Sequence, residues 1–200
     1  MKVTVAEHAG FCFGVDRAVK AAKDIAKSYK SDVYTFGSLI HNEQVTEDLK
    51  HHGVYPLEPD ISSVKEKKDP IVVIRAHGVG LNEEKLLKEY CKEVYDETCP
   101  FVKKIHNIVT KADENNEQIV ITGSYDHPEV KGILGHINGQ AFVIGSEKEI
   151  DLLPLNKDIK VCVVSQTTFN YNKFQYFVEI LKQKGYDICA FNTVCSATEE

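Results

Sequence analysis

Two hundred residues, 42% of them hydrophobic and 27% charged, are enough for a packed core in one or two domains. A formal net charge of −6 argues against a nucleic-acid partner, since such binding usually rests on a basic face. No apolar run approaches the roughly 20 residues that cross a bilayer, and the N-terminus runs straight into charge with no signal peptide, so the expectation is a cytosolic (cytoplasmic) protein with no membrane partner.

In chain order, residues 2–6 read as a short strand leading to Gly10-Phe11-Cys12-Phe13-Gly14. Apolar residues at Val15, Ala18, Val19, Ala22, Ile25, Ala26 and Tyr29 then recur at helical spacing. Residues 33–36 form a strand closed by Gly37-Ser38, and residues 42–51 read as a helix stopped by Gly53. Pro56, Pro59 and Ser62-Ser63 mark a loop. The apolar run 71–74 is a buried-type strand ending at Arg75-Ala76-His77-Gly78. Asn82 is expected to cap a helix reaching residue 92, and Val94-Tyr95 to begin a strand leading to Thr98-Cys99-Pro100. Pro100 suits a first helical position, and Val102, Ile105, Ile108 and Val109 give that helix an apolar stripe. Residues 118–122 lead as a strand to Gly123-Ser124, and residues 129–137 read as a helix. Strands follow over 141–144 and 161–164 with a loop between them, then a helix over 172–184 ended by Gly185. A last strand over 186–191 runs into Asn192-Thr193-Val194-Cys195.

This order contains a repeat. Gly123-Ser124 with His127 and Glu129 echoes Gly37-Ser38 with His41 and Glu43, and the two histidines lie 86 residues apart. Cys12, Cys99 and Cys195 are spaced by 87 and 96 residues, and Arg75-Ala76-His77-Gly78 corresponds to Ser165-Gln166-Thr167-Thr168. Strands alternating with helices imply parallel sheets, whose ligands gather beyond the carboxyl ends of the strands. The expected fold is therefore α/β, with two pseudo-repeated three-layer units. The divisions are residues 1–12, a first unit over 13–98, a second over 99–194, and the start of a third at 195–200.

The chemistry these residues allow is open at several points. Six cysteines in a reducing compartment are not a disulfide framework. Cys91, Cys162 and Cys189 read as packing residues. Cys12 and Cys99 directly precede helices, and Ser196-Ala197-Thr198-Glu199 reads as a capping box after Cys195. A helix N-terminus favours the thiolate, the form that ligates metal, so three repeat-related thiols suggest iron–sulfur or zinc as against plain burial. His41, His77 and His127 on loops could bind an anion or a metal; His8, His51, His52, His106 and His136 are set aside as structural. Glu129 is either a proton donor in a dry pocket or a helix-start carboxylate favoured by the dipole.

Seven motifs taken together resemble a known family. They are Gly10-Phe11-Cys12-Phe13-Gly14-Val15-Asp16-Arg17-Ala18, Ile40-His41-Asn42, Arg75-Ala76-His77-Gly78-Val79, Asp96-Glu97-Thr98-Cys99-Pro100, His127-Pro128-Glu129-Val130, Ser165-Gln166-Thr167-Thr168 and Thr193-Val194-Cys195-Ser196-Ala197-Thr198. In order and over the whole chain they are similar to the 4-hydroxy-3-methylbut-2-enyl diphosphate reductase (LytB) family. The resemblance implies a trefoil of three α/β repeats and an enzyme making isopentenyl and dimethylallyl diphosphate at the end of the non-mevalonate isoprenoid pathway. It implies Cys12, Cys99 and Cys195 as ligands of a [4Fe-4S] cluster, and His41, His77 and His127 around the diphosphate. Glu129 would supply protons, assisted by Thr167 and Gln166, and a ferredoxin or flavodoxin would supply electrons. Because the family carries a third unit after its last cysteine, the expectation for these 200 residues is a chain with the third repeat missing, weak cluster binding and little activity. Two other classes compete: a metal-dependent phosphohydrolase using the histidines and Glu129, and a non-catalytic module that captures a phosphorylated ligand.

Overall fold

The computed structural model describes residues 3–4, 10–40 and 42–198. The strand expected over residues 2–6 falls largely outside them, as do His41, His8 and the Glu199 end of the expected capping box. The chain separates into two compact units, Met1–Ala76 with Tyr90–Glu97, and His77–Glu89 with Thr98–Glu200.

The first unit opens with α1 (Phe13–Tyr29), whose Ala18, Val19, Ala22 and Ala26 are buried. Small residues on that face let the helix sit close to a sheet, and Lys30 ends it in the left-handed conformation, donating its N–H to the Ala26 carbonyl. The sheet consists of β1 (Val33–Phe36), β2 (Val54–Leu57), β3 (Ile71–Ile74) and β4 (Glu93–Asp96), all parallel, in the order β2-β1-β3-β4. Alternate strand residues Val33, Ile71 and Val73 pack against α1 and against Leu49 of α2 (Glu43–His51). Asn42 caps α2 by accepting the Val45 N–H at 3.1 Å.

The second unit repeats the plan. Its strands β5 (Gln118–Thr122), β6 (Ala141–Ile144), β7 (Val161–Ser165) and β8 (Ile188–Ala190) are parallel and ordered β6-β5-β7-β8. Ile119, Ile121, Cys162 and Val164 face α5 (Pro100–Glu114) and α6 (Pro128–Leu134). Val120, Val161 and Val163 face the other way, onto Ile150 of α7 (Glu147–Ile150) and Phe174, Phe177 and Leu181 of α8 (Tyr171–Gln183). Both faces of β5 and β7 are covered, so those strands are continuous apolar runs with every residue but Gln118, Thr122 and Ser165 hydrophobic, and this unit has three layers.

Several elements differ from the sequence expectation. The stretch read as a loop around Pro56 contains β2, an edge strand in which the missing proline N–H removes no central ladder bond. Between β2 and β3 lies the short helix α3 (Ile61–Lys65), capped by Asp60, which accepts the Ser62 N–H at 3.1 Å. The loop between β6 and β7 holds α7, opened by a capping box of Ser146 and Glu149. Helix α4 (Leu81–Tyr90) begins one residue before Asn82, which is therefore not its cap, and Cys91 lies beyond its end. The Gly80 N–H donates to Glu83 Oε2 at 2.9 Å, which supplies the start that Asn82 was expected to provide. Helix α6 stops at Leu134, β8 covers only three residues, and Cys195 is followed by a single 3-10 turn (Ser196–Thr198). Among the described residues no helix is long and apolar enough to cross a membrane.

In each sheet the chain steps outward from the first central strand and then returns past it. The carboxyl ends of β1 and β3, and of β5 and β7, therefore flank a topological switch point, the place where open parallel sheets leave a crevice.

Candidate functional site

The loops at those switch points carry His77, His127, Gln166 and Thr167. In the second unit, β5 ends at Gly123-Ser124 and the chain turns to His127, the N-cap of α6. His127 Nδ1 accepts the Glu129 N–H at 3.2 Å, so the ring proton sits on Nε2, the nitrogen that would donate to an anion. Pro128 at the first helical position needs no N–H partner, which suits it to this place.

Glu129 is 2% exposed. Its Oε1 accepts the Thr167 N–H at 2.7 Å and its Oε2 accepts the Thr167 hydroxyl at 2.6 Å. Burial pushes its carboxyl above the ordinary range, while the two Thr167 hydrogen bonds pull the other way. The Thr167 carbonyl accepts the Cys195 N–H at 2.8 Å. The His127 imidazole reaches Glu129 through its main-chain N–H, and the Glu129 carboxyl is joined through Thr167 to the Cys195 segment.

Gln166, the residue after β7, reaches across the switch point. Its Oε1 accepts the Ser124 N–H at 3.1 Å and its Nε2 donates to Thr168 Oγ1 at 2.7 Å. A Cβ on Gly123 would stand 2.9 Å from Gln166 Oε1 and 3.0 Å from its Cβ, so a side chain there would push Gln166 off the turn. The first unit uses the same device with another residue. Arg75, directly after β3, is buried and sends Nη1 to the Ser38 carbonyl at 3.5 Å, under Gly37. Gly37 has φ +77°, and a Cβ there would lie 2.6 Å from Arg75 Nη1.

His77 belongs with the second unit. Its ring meets that of His127 edge-on, with centroids 5.5 Å apart. The loop that carries it rests on α6 through backbone: the Leu81 N–H donates to the Gly135 carbonyl at 3.1 Å, and a Cβ on Gly135 would lie 2.5 Å from Gly80 Cα. Two further histidines support it from behind. His106 and His136 stack with centroids 3.9 Å apart, and His136 Nε2 pairs with the Val79 carbonyl at 3.1 Å. Burial holds His136 below the ordinary imidazole range, against the opposing pull of the Val79 carbonyl and Glu84, so its Nε2 donates as a neutral ring. A Cβ on Gly78 would lie 2.7 Å from His106 Cε1 and 3.0 Å from Thr98 Cγ2, which sets the His77 loop beside the residue preceding Cys99.

The six thiols fall into two groups. Cys162 is fully buried in β7, and burial raises its thiol to about 12; burial raises Cys91 to about 11. Cys189 lies in the edge strand β8. Cys12 is exposed at the N-cap of α1, Cys99 is half-buried at the N-cap of α5, and Cys195 is half-buried before the 3-10 turn. Accessible sulfurs at backbone positions rich in N–H groups fit thiolate ligation of an iron–sulfur group, and the deeply buried Cys162 does not. Among the described residues no three His, Cys, Asp or Glu side chains gather closely enough to hold a single ion. A cluster differs in this respect, since each of its irons takes its own thiolate.

The second unit therefore brings together His77, His127, Glu129, Gln166 and Thr167, with Cys195 bonded to Thr167 and Thr98-Cys99 beside the His77 loop. Cys12 belongs to the first unit, and His41 lies outside the described residues. Sequence reasoning did not assign jobs to Arg75, His106, His136, Gly80 or Gly135. The Gly78-Val79-Gly80 run was the one available signal, because paired glycines mark a close backbone approach.

Comparison with known proteins identifies the family. The family model described as LytB protein matches residues 3–200. The 4-hydroxy-3-methylbut-2-enyl diphosphate reductase of Caldanaerobacter subterraneus subsp. tengcongensis is 39% identical over 201 residues, an alignment that takes in 100% of this chain and 69% of that protein. A solved structure of (E)-4-hydroxy-3-methyl-but-2-enyl diphosphate reductase, the terminal enzyme of the non-mevalonate pathway, superimposes with a TM-score of 0.87 at 36% identity, covering 98% of this chain and 69% of that one. The E-1-hydroxy-2-methyl-but-2-enyl-4-diphosphate reductase from Plasmodium falciparum gives 0.86 at 27% identity, over 96% of this chain and 60% of that one. With the match spanning nearly its whole length, the chain belongs to the LytB protein family.

Proposed function

We propose that the chain carries the chemistry of the reductases it resembles: reductive removal of the hydroxyl of 4-hydroxy-3-methylbut-2-enyl diphosphate to give isopentenyl and dimethylallyl diphosphate. The observation that carries this reading is the buried carboxyl of Glu129, bonded at both oxygens to Thr167, with the Glu129 main-chain N–H donating to His127. The overall change takes two electrons and two protons; one proton leaves with the hydroxyl as water and the other ends on carbon. Glu129 is the group that holds the proton, because burial favours its neutral form and Thr167 Oγ1 can accept from it as readily as donate to it. His41, His77 and His127 are the proposed diphosphate-binding residues; His127 stands at the start of α6, where the helix dipole also favours negative charge. Gln166 shapes the pocket by holding the Gly123-Ser124 turn.

Cys12, Cys99 and Cys195 would hold a [4Fe-4S] cluster, which when bound supplies electrons and a Lewis-acidic position for the hydroxyl. A ferredoxin or flavodoxin is the proposed electron donor, and a reducing cytoplasm the proposed compartment, where such thiols stay reduced. The test is turnover of the diphosphate by the anaerobically reconstituted chain with a chemical reductant. Glu129→Gln lowers kcat by about 10²-fold or more with KM little changed, and His127→Ala raises KM. Release of inorganic phosphate with zinc or manganese, indifferent to Cys12→Ser, would establish the phosphohydrolase instead. Diphosphate binding without turnover, surviving loss of all three thiols, would establish a binding module.

A further inference from the structure

We infer that Thr193 is a positioning residue that fixes the proton-holding carboxyl and the Cys195 segment to one frame. The inference rests on the functional reading above for its meaning, and on side-chain geometry for its substance. Strand β8 ends at Ala190, and the ladder with β7 survives one bond further, the Phe191 N–H donating to the Val163 carbonyl at 2.8 Å. At the next ladder position the backbone of the departing chain no longer pairs with Ser165. The Thr193 side chain takes its place: Oγ1 accepts the Ser165 N–H at 2.7 Å and donates to the Ser165 carbonyl at 2.6 Å. One hydroxyl thus satisfies both main-chain groups of the last residue of a central strand, a requirement because Ser165 is fully buried and an unmet pair there would be costly.

Two residues further on, the Cys195 N–H donates to the Thr167 carbonyl at 2.8 Å, and Thr167 holds both oxygens of Glu129. Ser165 and Thr167 flank Gln166, so the Thr193 and Cys195 bonds grip one three-residue stretch at alternate positions, as a strand would. The Ser165 hydroxyl, accepting from Thr122 Oγ1 at 2.8 Å and donating to the Gln166 carbonyl at 3.1 Å, ties that stretch to the end of β5. Thr193 is 8% exposed and both of its hydroxyl bonds go to Ser165, so it acts on the site through Ser165 and Thr167. Valine at this position keeps the shape and removes both bonds; serine keeps both bonds and removes only a methyl.

Residue-resolved hydrogen exchange on the unliganded chain tests the coupling. In the unmodified protein the Ser165, Thr167 and Cys195 amides should share one opening equilibrium, and protection differing by more than about tenfold among them would overturn the inference. Thr193→Val should speed exchange of the Thr167 and Cys195 amides by about tenfold or more while the Ile119 and Val120 amides in β5 keep their protection, and Thr193→Ser should restore it. Unchanged Thr167 and Cys195 amides in Thr193→Val, or a uniform acceleration that includes β5, would assign Thr193 to stability alone. After anaerobic reconstitution, Thr193→Val should lower kcat with KM for the diphosphate unchanged. An unmodified chain that takes up no iron and sulfide would count against the reductase reading, while the exchange measurement would still decide whether Thr193 couples the two groups.

Discussion

At the scale of single residues, Glu129 sets a measurable pH signature. Its folded-state value is raised, chiefly by burial, so the folded chain keeps the proton over a pH range in which the unfolded chain has already lost it. The resulting stabilisation is full below the ordinary glutamate value and is lost as pH rises through the raised one. Urea titrations across that window should show stability falling in the wild type and nearly flat in Glu129→Gln, whose amide can still accept the Thr167 N–H and donate to its hydroxyl. Parallel pH profiles for the two proteins would refute the assignment. The places of Cys12, Cys99 and His127 at helix starts, and of His77 after a central strand, were legible in the sequence because each ends an apolar run or precedes a helix. What Arg75 and Gln166 do was not, because each acts on a backbone group 37 or 42 residues away that no local pattern records.

At the scale of elements, the regular helices and the central strands were readable wherever periodicity or a continuous apolar run marked them. The strand β2 was missed because Pro56 reads as a loop signal, and only its edge position makes the proline tolerable. Helices α3 and α7, of five and four residues, are too short to show a period and rest on their caps. The seat of the His77 loop on α6 is likewise invisible locally, since it depends on Gly80 and Gly135 meeting backbone to backbone. Gly135→Ala therefore overpacks that contact and should cost about 1–3 kcal/mol in denaturant unfolding. It should also raise KM for the diphosphate, since His77 moves with the loop; a variant with native stability and native KM would show that the loop is held elsewhere.

At the scale of the whole molecule, one strand order occurs twice, and in both sheets a side chain following the second central strand crosses to the Gly-Ser turn of the first. The internal repeat of cysteines and Gly-Ser turns was legible because duplicated topology puts equivalent chemistry at equivalent strand ends. The joining of Glu129 to Cys195 through Thr167 was not, because it depends on two hydrogen bonds donated by main-chain N–H groups that meet their partners only when β5, β7 and β8 are assembled. Under the proposed function the thiols are unequal: Cys12, Cys99 and Cys195 would hold the cluster, whereas Cys162 is buried in β7.

The most direct measurement is anaerobic iron and sulfide analysis, with the visible spectrum, on the reconstituted chain and on Cys12→Ser, Cys99→Ser, Cys195→Ser and Cys162→Ser. The account predicts iron and sulfide in equal amounts and a brown chromophore bleached by dithionite in the wild type and in Cys162→Ser, with both lost or sharply reduced in each of the other three. A colourless wild-type chain, or a chromophore indifferent to residues 12, 99 and 195, would contradict it.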